Sequence, residues 1–133
     1  MTNMRLKTVV SAAAFSMICL PAYATDSGLK QQLLRLDPQT RLEQLCDHET
    51  MMSIRGDRNP YSPDKVVAYT FSEPLMSEET VEAHGAVFRS RGDWYRLSFR
   101  CKADVEHVEV RSLRYEIGKK VPREKWIKYN LYD

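Results

Sequence analysis

Residue types able to do chemistry are concentrated in one stretch of the chain. Arg89, Arg91, Arg96 and Arg100 recur through a segment that also carries Trp94, and Arg111 follows a little further on. Guanidinium groups grip carboxylate or phosphate oxygens in bidentate fashion, and an indole can stack on a sugar or an aromatic group. These six residues form the candidate ligand-binding set, and the partner they suit is anionic. The same pattern also fits a solvated sheet face, with arginine stems covering apolar surface and Glu109 and the acidic first half neutralising part of the charge.

The other reactive side chains point to structure more than to catalysis. Cys19 lies in the N-terminal apolar run, leaving Cys46 and Cys101. In an oxidising compartment two such cysteines pair, and the bridge restricts the unfolded chain by about 4 kcal/mol in the loop-entropy model. Of the three histidines, His84 is expected opposite Cys101 on the inner face and His48 lies on a helix near Cys46. A metal site built from that pair has no H-x-H or H-x-x-x-H spacing behind it, and no metal or other cofactor is expected. The chain has no G-x-S-x-G, no H-E-x-x-H and no Gly-rich phosphate loop. No catalytic residue is nominated, and a non-catalytic protein is expected. Arg91-Gly92-Asp93 spells an adhesion tripeptide, but turn chemistry accounts for Gly92-Asp93.

The N-terminus sets the compartment. Arg5 and Lys7 precede an apolar run from Thr8 to Leu20, and Pro21-Ala22-Tyr23-Ala24 closes it. This is the order of a secretory signal peptide, too short for the roughly 20 residues of a spanning helix. Cleavage after Ala24 makes residues 1–24 a signal peptide and 25–133 a single domain, periplasmic or secreted. A lipoprotein reading of Cys19 is opposed by Ile18, which stands where a small residue is expected. No transmembrane segment is expected in the mature chain. Without Arg5 and Lys7 the 20 basic residues become 18, equal to the 18 acidic ones, so total charge implies no nucleic-acid partner. The charge is uneven: acidic residues outnumber basic ones by 11 to 6 from Thr25 to Phe88, and basic outnumber acidic by 12 to 7 from Arg89 onward.

The elements that must hold these residues follow from periodicity and turn signals. Leu29, Leu33 and Leu36 have helical spacing, and Asp37-Pro38 then supplies an N-cap and a first helical residue. The main helix is expected from Pro38 to about Ile54, with Leu42, Leu45, Cys46 and Met52 near one stripe and Gly56 as a left-handed stop. From Lys65 the period changes toward two. Lys65 to Ser72 reads as a strand, Glu73 to Thr80 as a loop or one helical turn. Val81–Arg91 and Trp94–Lys102 read as a hairpin about a type II′ turn at Gly92-Asp93. That turn pairs Arg91 with Trp94, Arg89 with Arg96 and Phe88 with Leu97, and sends Ala86, Phe88, Tyr95, Leu97, Phe99 and Cys101 inward. A further strand from Glu106 to Ile117 needs a bulge near Arg111-Ser112 to reconcile its two parities. Gly118 ends it, and Pro122 starts a short terminal helix carrying Trp126, Tyr129 and Leu131. The expected fold is α+β, with N-terminal helices packed on an antiparallel meander of about four strands, a short C-terminal helix and one disulfide.

The stretch from Gly85 to Cys101, with its FRS-x-G-x-WY-x-L-x-F-x-C string, resembles the core of the bacterial family called domain of unknown function 930. So do Leu36-Asp37-Pro38 with Arg41-Leu42-Glu43-Gln44, Cys46-Asp47, and Ile117-Gly118 leading to Val121-Pro122 and Trp126. The resemblance covers nearly all of the mature chain and implies exported alphaproteobacterial proteins that share the two cysteines. It implies no activity and no ligand residue. The expected function is therefore a periplasmic binding domain for an anionic envelope component or an acidic envelope protein. The alternative is a structural or inhibitory partner of an envelope enzyme or assembly, acting through a sheet edge or through Trp126, Tyr129 and Tyr132.

Overall fold

The computed structural model describes residues 26–133, so the expected signal peptide over residues 1–24, with Cys19, lies outside the described residues. Helix α1 (Ser27–Leu34) is capped by Asp26, which accepts from the Gly28 amide. Helix α2 (Pro38–Gly56) starts as its sequence dictates: the Asp37 carboxylate accepts from the Thr40 amide at 3.1 Å, with Pro38 in the first turn. Arg41 locks the corner between the helices, donating to the carbonyls of Leu33, Leu36 and Glu106. The buried stripe of α2 is Leu42, Leu45, Cys46, Thr50 and Ile54. Met52 is exposed instead, because Thr50 turns inward with its hydroxyl donating to the Cys46 carbonyl. Gly56 is not a left-handed stop: the helix runs through it and ends on Asp57 in extended conformation.

Five antiparallel strands follow: β1 (Pro63–Val67), β2 (Leu75–Met76), β3 (Thr80–Ser90), β4 (Asp93–Ala103) and β5 (Val110–Lys120). The order across the sheet is β1-β3-β4-β5, with β2 pairing the far end of β3. The strand expected from Lys65 to Ser72 leaves the edge after Val67, and the Phe71 amide rejoins it by donating to the Gly85 carbonyl at 2.8 Å. A Cβ on Gly85 would lie 2.3 Å from the Ser72 backbone nitrogen, so only glycine permits this approach. The ambiguous segment before Thr80 is the short strand β2 and a turn.

The hairpin forms about a different turn from the one expected. Arg91 (φ 51°) and Gly92 (φ 80°) are both left-handed, the signature of a type I′ turn, and Asp93 opens β4 opposite Ser90. Arg89 therefore faces Trp94, Phe88 faces Tyr95 and Val87 faces Arg96. The pairing differs by two positions, which preserves every face, so Ala86, Phe88, Leu97, Phe99 and Cys101 are buried as their alternation dictates. A bulge between Ala83 and Ala86 puts His84 and Gly85 together opposite Ser98. His84 is thereby turned out into solvent, and Val81 takes its expected place opposite Cys101.

Strand β5 carries the expected bulge: Lys102 pairs Ser112 and Ala103 pairs Val110, leaving Arg111 as the extra residue. It starts at Val110, after His107 turns the chain with φ 58°. It also continues past Gly118 to Lys120, because a second irregularity sets Gly118 and Lys119 opposite Arg96.

Two hydrophobic clusters hold the sheet. The larger lies between the helices and the inner face and is crossed by the Cys46–Cys101 bridge, with Cα atoms 5.8 Å apart. Tyr61, Phe88 and Tyr95 form an aromatic trio at one end, with centroids 4.9–5.3 Å apart. The smaller cluster is on the outer face: Val87, Trp94, Val121, Trp126 and Leu131. The segment that builds it is not one short helix but two 3-10 turns, Arg123–Lys125 and Ile127–Tyr129, ended by left-handed Asn130.

Candidate functional site

On β4 the outward side chains are Trp94, Arg96, Ser98 and Arg100, and their fates differ along the strand. At the Trp94 end the chain covers itself. The Trp94 ring is 2 % exposed, and its indole N–H donates to the Tyr132 carbonyl at 2.7 Å. It is not the free stacking platform its position on the outer face suggested, because residues 121–131 fold back over it. The same closure uses two of the three C-terminal aromatics: Trp126 is buried with its indole donating to the Val121 carbonyl, and Tyr129 packs on Phe71 at 4.5 Å, while the Tyr132 ring stays exposed.

Arg89 belongs to the covered end. Its Nε and Nη2 donate to the two carboxylate oxygens of Asp64 at 2.9 and 3.1 Å, and its guanidinium lies 5.6 Å from the Trp94 ring. The paired hydrogen bonds hold the Asp64 carboxyl below the ordinary carboxylate range and push Arg89 up. Arg91 stands exposed at the hairpin tip. Arg96 marks the boundary, its guanidinium 3.9 Å from the Phe71 ring centroid. Arg100 is in the open half. Arg111 is at the far bulge, 3.6 Å from Glu109. The six expected residues are thus spread over the face and not gathered in one cluster.

What gathers around Arg100 is a different group. Cross-strand rows run Glu82–Arg100–Arg114 and His84–Ser98–Glu116 over β3, β4 and β5. These six, with Asp57, Phe99, Leu113 and Tyr115 around the β5 edge, line a groove of about 790 Å³, and an adjoining hollow of about 380 Å³ extends it to Arg96 and Gly118. Arg100 stands directly opposite Arg114, a like-charge pair that destabilises a sheet unless something neutralises it. Glu82 is turned to His84 at 3.0 Å. Among the described residues, Arg96, Arg100 and Arg114 form no ion pair. Arg114 and Glu116 were missed in the sequence, although alternation with inward Leu113, Tyr115 and Ile117 places them on the outer face.

A second hollow, about 320 Å³, lies between α2 and β1 and is lined by Gln44, Asp47, His48, Met51, Lys65 and Tyr69 among others. Asp47 has a fully buried carboxylate oxygen with no hydrogen-bond partner among the described residues. Burial, with Glu43 close by, pushes its pKa up to about 8, so the group is largely a neutral acid at pH 7. Nothing in the sequence distinguished Asp47 from its acidic neighbours, since only the packing of α2 on β1 buries it. His107 is buried as a clamp, its ring nitrogens 2.8 Å from the Pro38 carbonyl and 2.5 Å from that of Glu78. No group of three His, Cys, Asp or Glu residues suited to a metal ion occurs among the described residues. No helix among them is long and apolar enough to cross a membrane.

Fold and site together define a disulfide-bridged α+β domain whose sheet is covered on its inner face and on half of its outer face. Residues 33–131 match the family model described as Domain of Unknown Function (DUF930), and the chain belongs to that family. No match is found among curated proteins or solved structures.

Proposed function

We propose that this protein is a non-catalytic binding domain of the cell envelope, working in the periplasm or outside the cell after loss of its first 24 residues. It holds an anionic envelope component or the acidic surface of an envelope protein through the open half of its outer face. Arg96 and Arg100 on β4 supply the main charge, with Arg114 beside Arg100. Export is supported by the basic, apolar and small-residue order of the N-terminus and by the Cys46–Cys101 bridge.

One observation carries the reading: within a single face Arg89 has a bidentate carboxylate partner, whereas Arg96 and Arg100 have none among the described residues. Guanidinium groups left open beside a groove are ready to donate to carboxylate or phosphate oxygens. The test is binding of residues 25–133 to polyglutamate and to vesicles containing an anionic phospholipid, at low and at physiological salt. Wild type is expected to bind at least one of the two, more weakly as salt rises, and Arg96→Glu/Arg100→Glu to lose that binding. Equal binding by the two proteins, or none by wild type, contradicts the assignment.

A further inference from the structure

The two edges of the sheet are unlike. One edge is broken into β1 and β2, carries Pro63 at its start and an extra residue at Asp64, and leaves the sheet between Val67 and Leu75. Proline, bulges and short strands are the devices that blunt an edge against further pairing. The other edge is β5, which runs from Val110 to Lys120, pairs with β4 on one side and has no strand on its other side among the described residues. A row of backbone N–H and C=O groups is therefore presented by a strand of eleven residues.

We propose that two copies of this chain join through β5, antiparallel about a two-fold axis at Tyr115, to form one continuous sheet. The bulges at Arg111 and at Gly118-Lys119 confine regular pairing to Ser112–Gly118. Joining the sheets with inner face beside inner face requires partners of equal parity, so the axis must pass through a residue. Centred on Arg114 it sets that arginine against itself, and centred on Glu116 it sets two carboxylates together. Centred on Tyr115 it places Arg114 opposite Glu116 of the second copy, twice over, on the outer face. The same register sets Leu113 against Ile117 of the second copy, also twice, on the inner face.

The exposure of these side chains agrees with that register. Arg114 and Glu116 are exposed and form no ion pair among the described residues, while Leu113, Tyr115 and Ile117 are half-buried at the rim of the inner core. The Tyr115 hydroxyl donates to Asp57, which fixes the ring on the inner face of its own copy. The inference shares Arg114 with the anion-binding reading but not Arg96 and Arg100, which lie one strand in from the edge.

The experiment is sedimentation of the oxidised protein, residues 25–133, over a range of concentrations up to high micromolar. Wild type should be a reversible dimer. Arg114→Glu alone, or Glu116→Arg alone, puts like charges opposite each other twice and should weaken dimerisation by at least about tenfold. An equimolar mixture of these two variants should recover a dimer of one of each, since both cross-pairs are then complementary. Far-UV circular dichroism confirms that each single variant is folded. A monomeric wild type, single variants that dimerise like wild type, or a mixture that fails to recover association overturns the proposal. Arg96→Glu/Arg100→Glu should dimerise normally, which separates failure here from failure of the binding reading.

Discussion

At one end of the outer sheet face Arg89 lies against Asp64 and Trp94, beneath a segment that folds back from β5. At the other end Arg100 lies against Arg114 and solvent. Both arginines sit on the same face of the same hairpin, and neither their residue type nor their alternation tells them apart. The difference is made by residues far along the chain: Asp64 on β1 for the ion pair, and Val121, Trp126 and Leu131 for the cover. An arginine on this sheet face is tied into the fold where the chain brings a carboxylate to it and is left without an ion pair among the described residues where it does not.

Substitutions should separate the two ends by size of effect. Trp94→Ala removes the centre of the outer cluster and should cost about 3–5 kcal/mol of stability, read as a lower urea midpoint. A cost near zero would mean that the cover over Trp94 is not part of the fold. Arg89→Ala comes next, at about 1 kcal/mol or less, because Asp64 is largely exposed and its pairing is screened. The pH dependence has a definite sign. The folded carboxyl of Asp64 is held below its ordinary value, so its contribution is complete above about pH 4 and is lost as pH falls through the lowered value. Arg89→Ala should therefore narrow the stability difference between about pH 5 and about pH 3, compared with wild type in urea titrations. Arg96→Glu/Arg100→Glu should be the smallest, within about 0.5 kcal/mol of wild type. A large loss would show that the open end is structural after all.

Much of the scaffold was legible in the sequence because local chemistry and pattern agree there. Asp37-Pro38 begins α2, the two-residue period marks β3 and β4, the parity change locates the bulge at Arg111, and the bridge joins the helix to the inward position Cys101. The turn was not legible. Gly92-Asp93 and Arg91-Gly92 both leave the inward set unchanged, so the apolar pattern does not choose between them, and the turn used requires left-handed Arg91. Trp94 was assigned to the outer face, where it is, but its burial depends on Trp126 and Leu131 across the chain. Arg114 was within reach of the same alternation that turned Leu113 and Tyr115 inward. His84 was not, because the bulge at His84-Gly85 exists to bring Gly85 against the Ser72 backbone, a contact invisible in a linear pattern.

The most direct test of the division between the ends is a nuclear magnetic resonance titration of residues 25–133 with polyglutamate at low salt, following backbone amides and the two indole N–H signals. The predicted result is a set of shifts confined to Glu82–His84, Arg96–Arg100 and Arg114–Glu116, with the indoles of Trp94 and Trp126 unmoved. Shifts that begin at the indoles and leave Arg100 untouched would contradict it, and would move the binding surface to the end of the sheet that the chain covers.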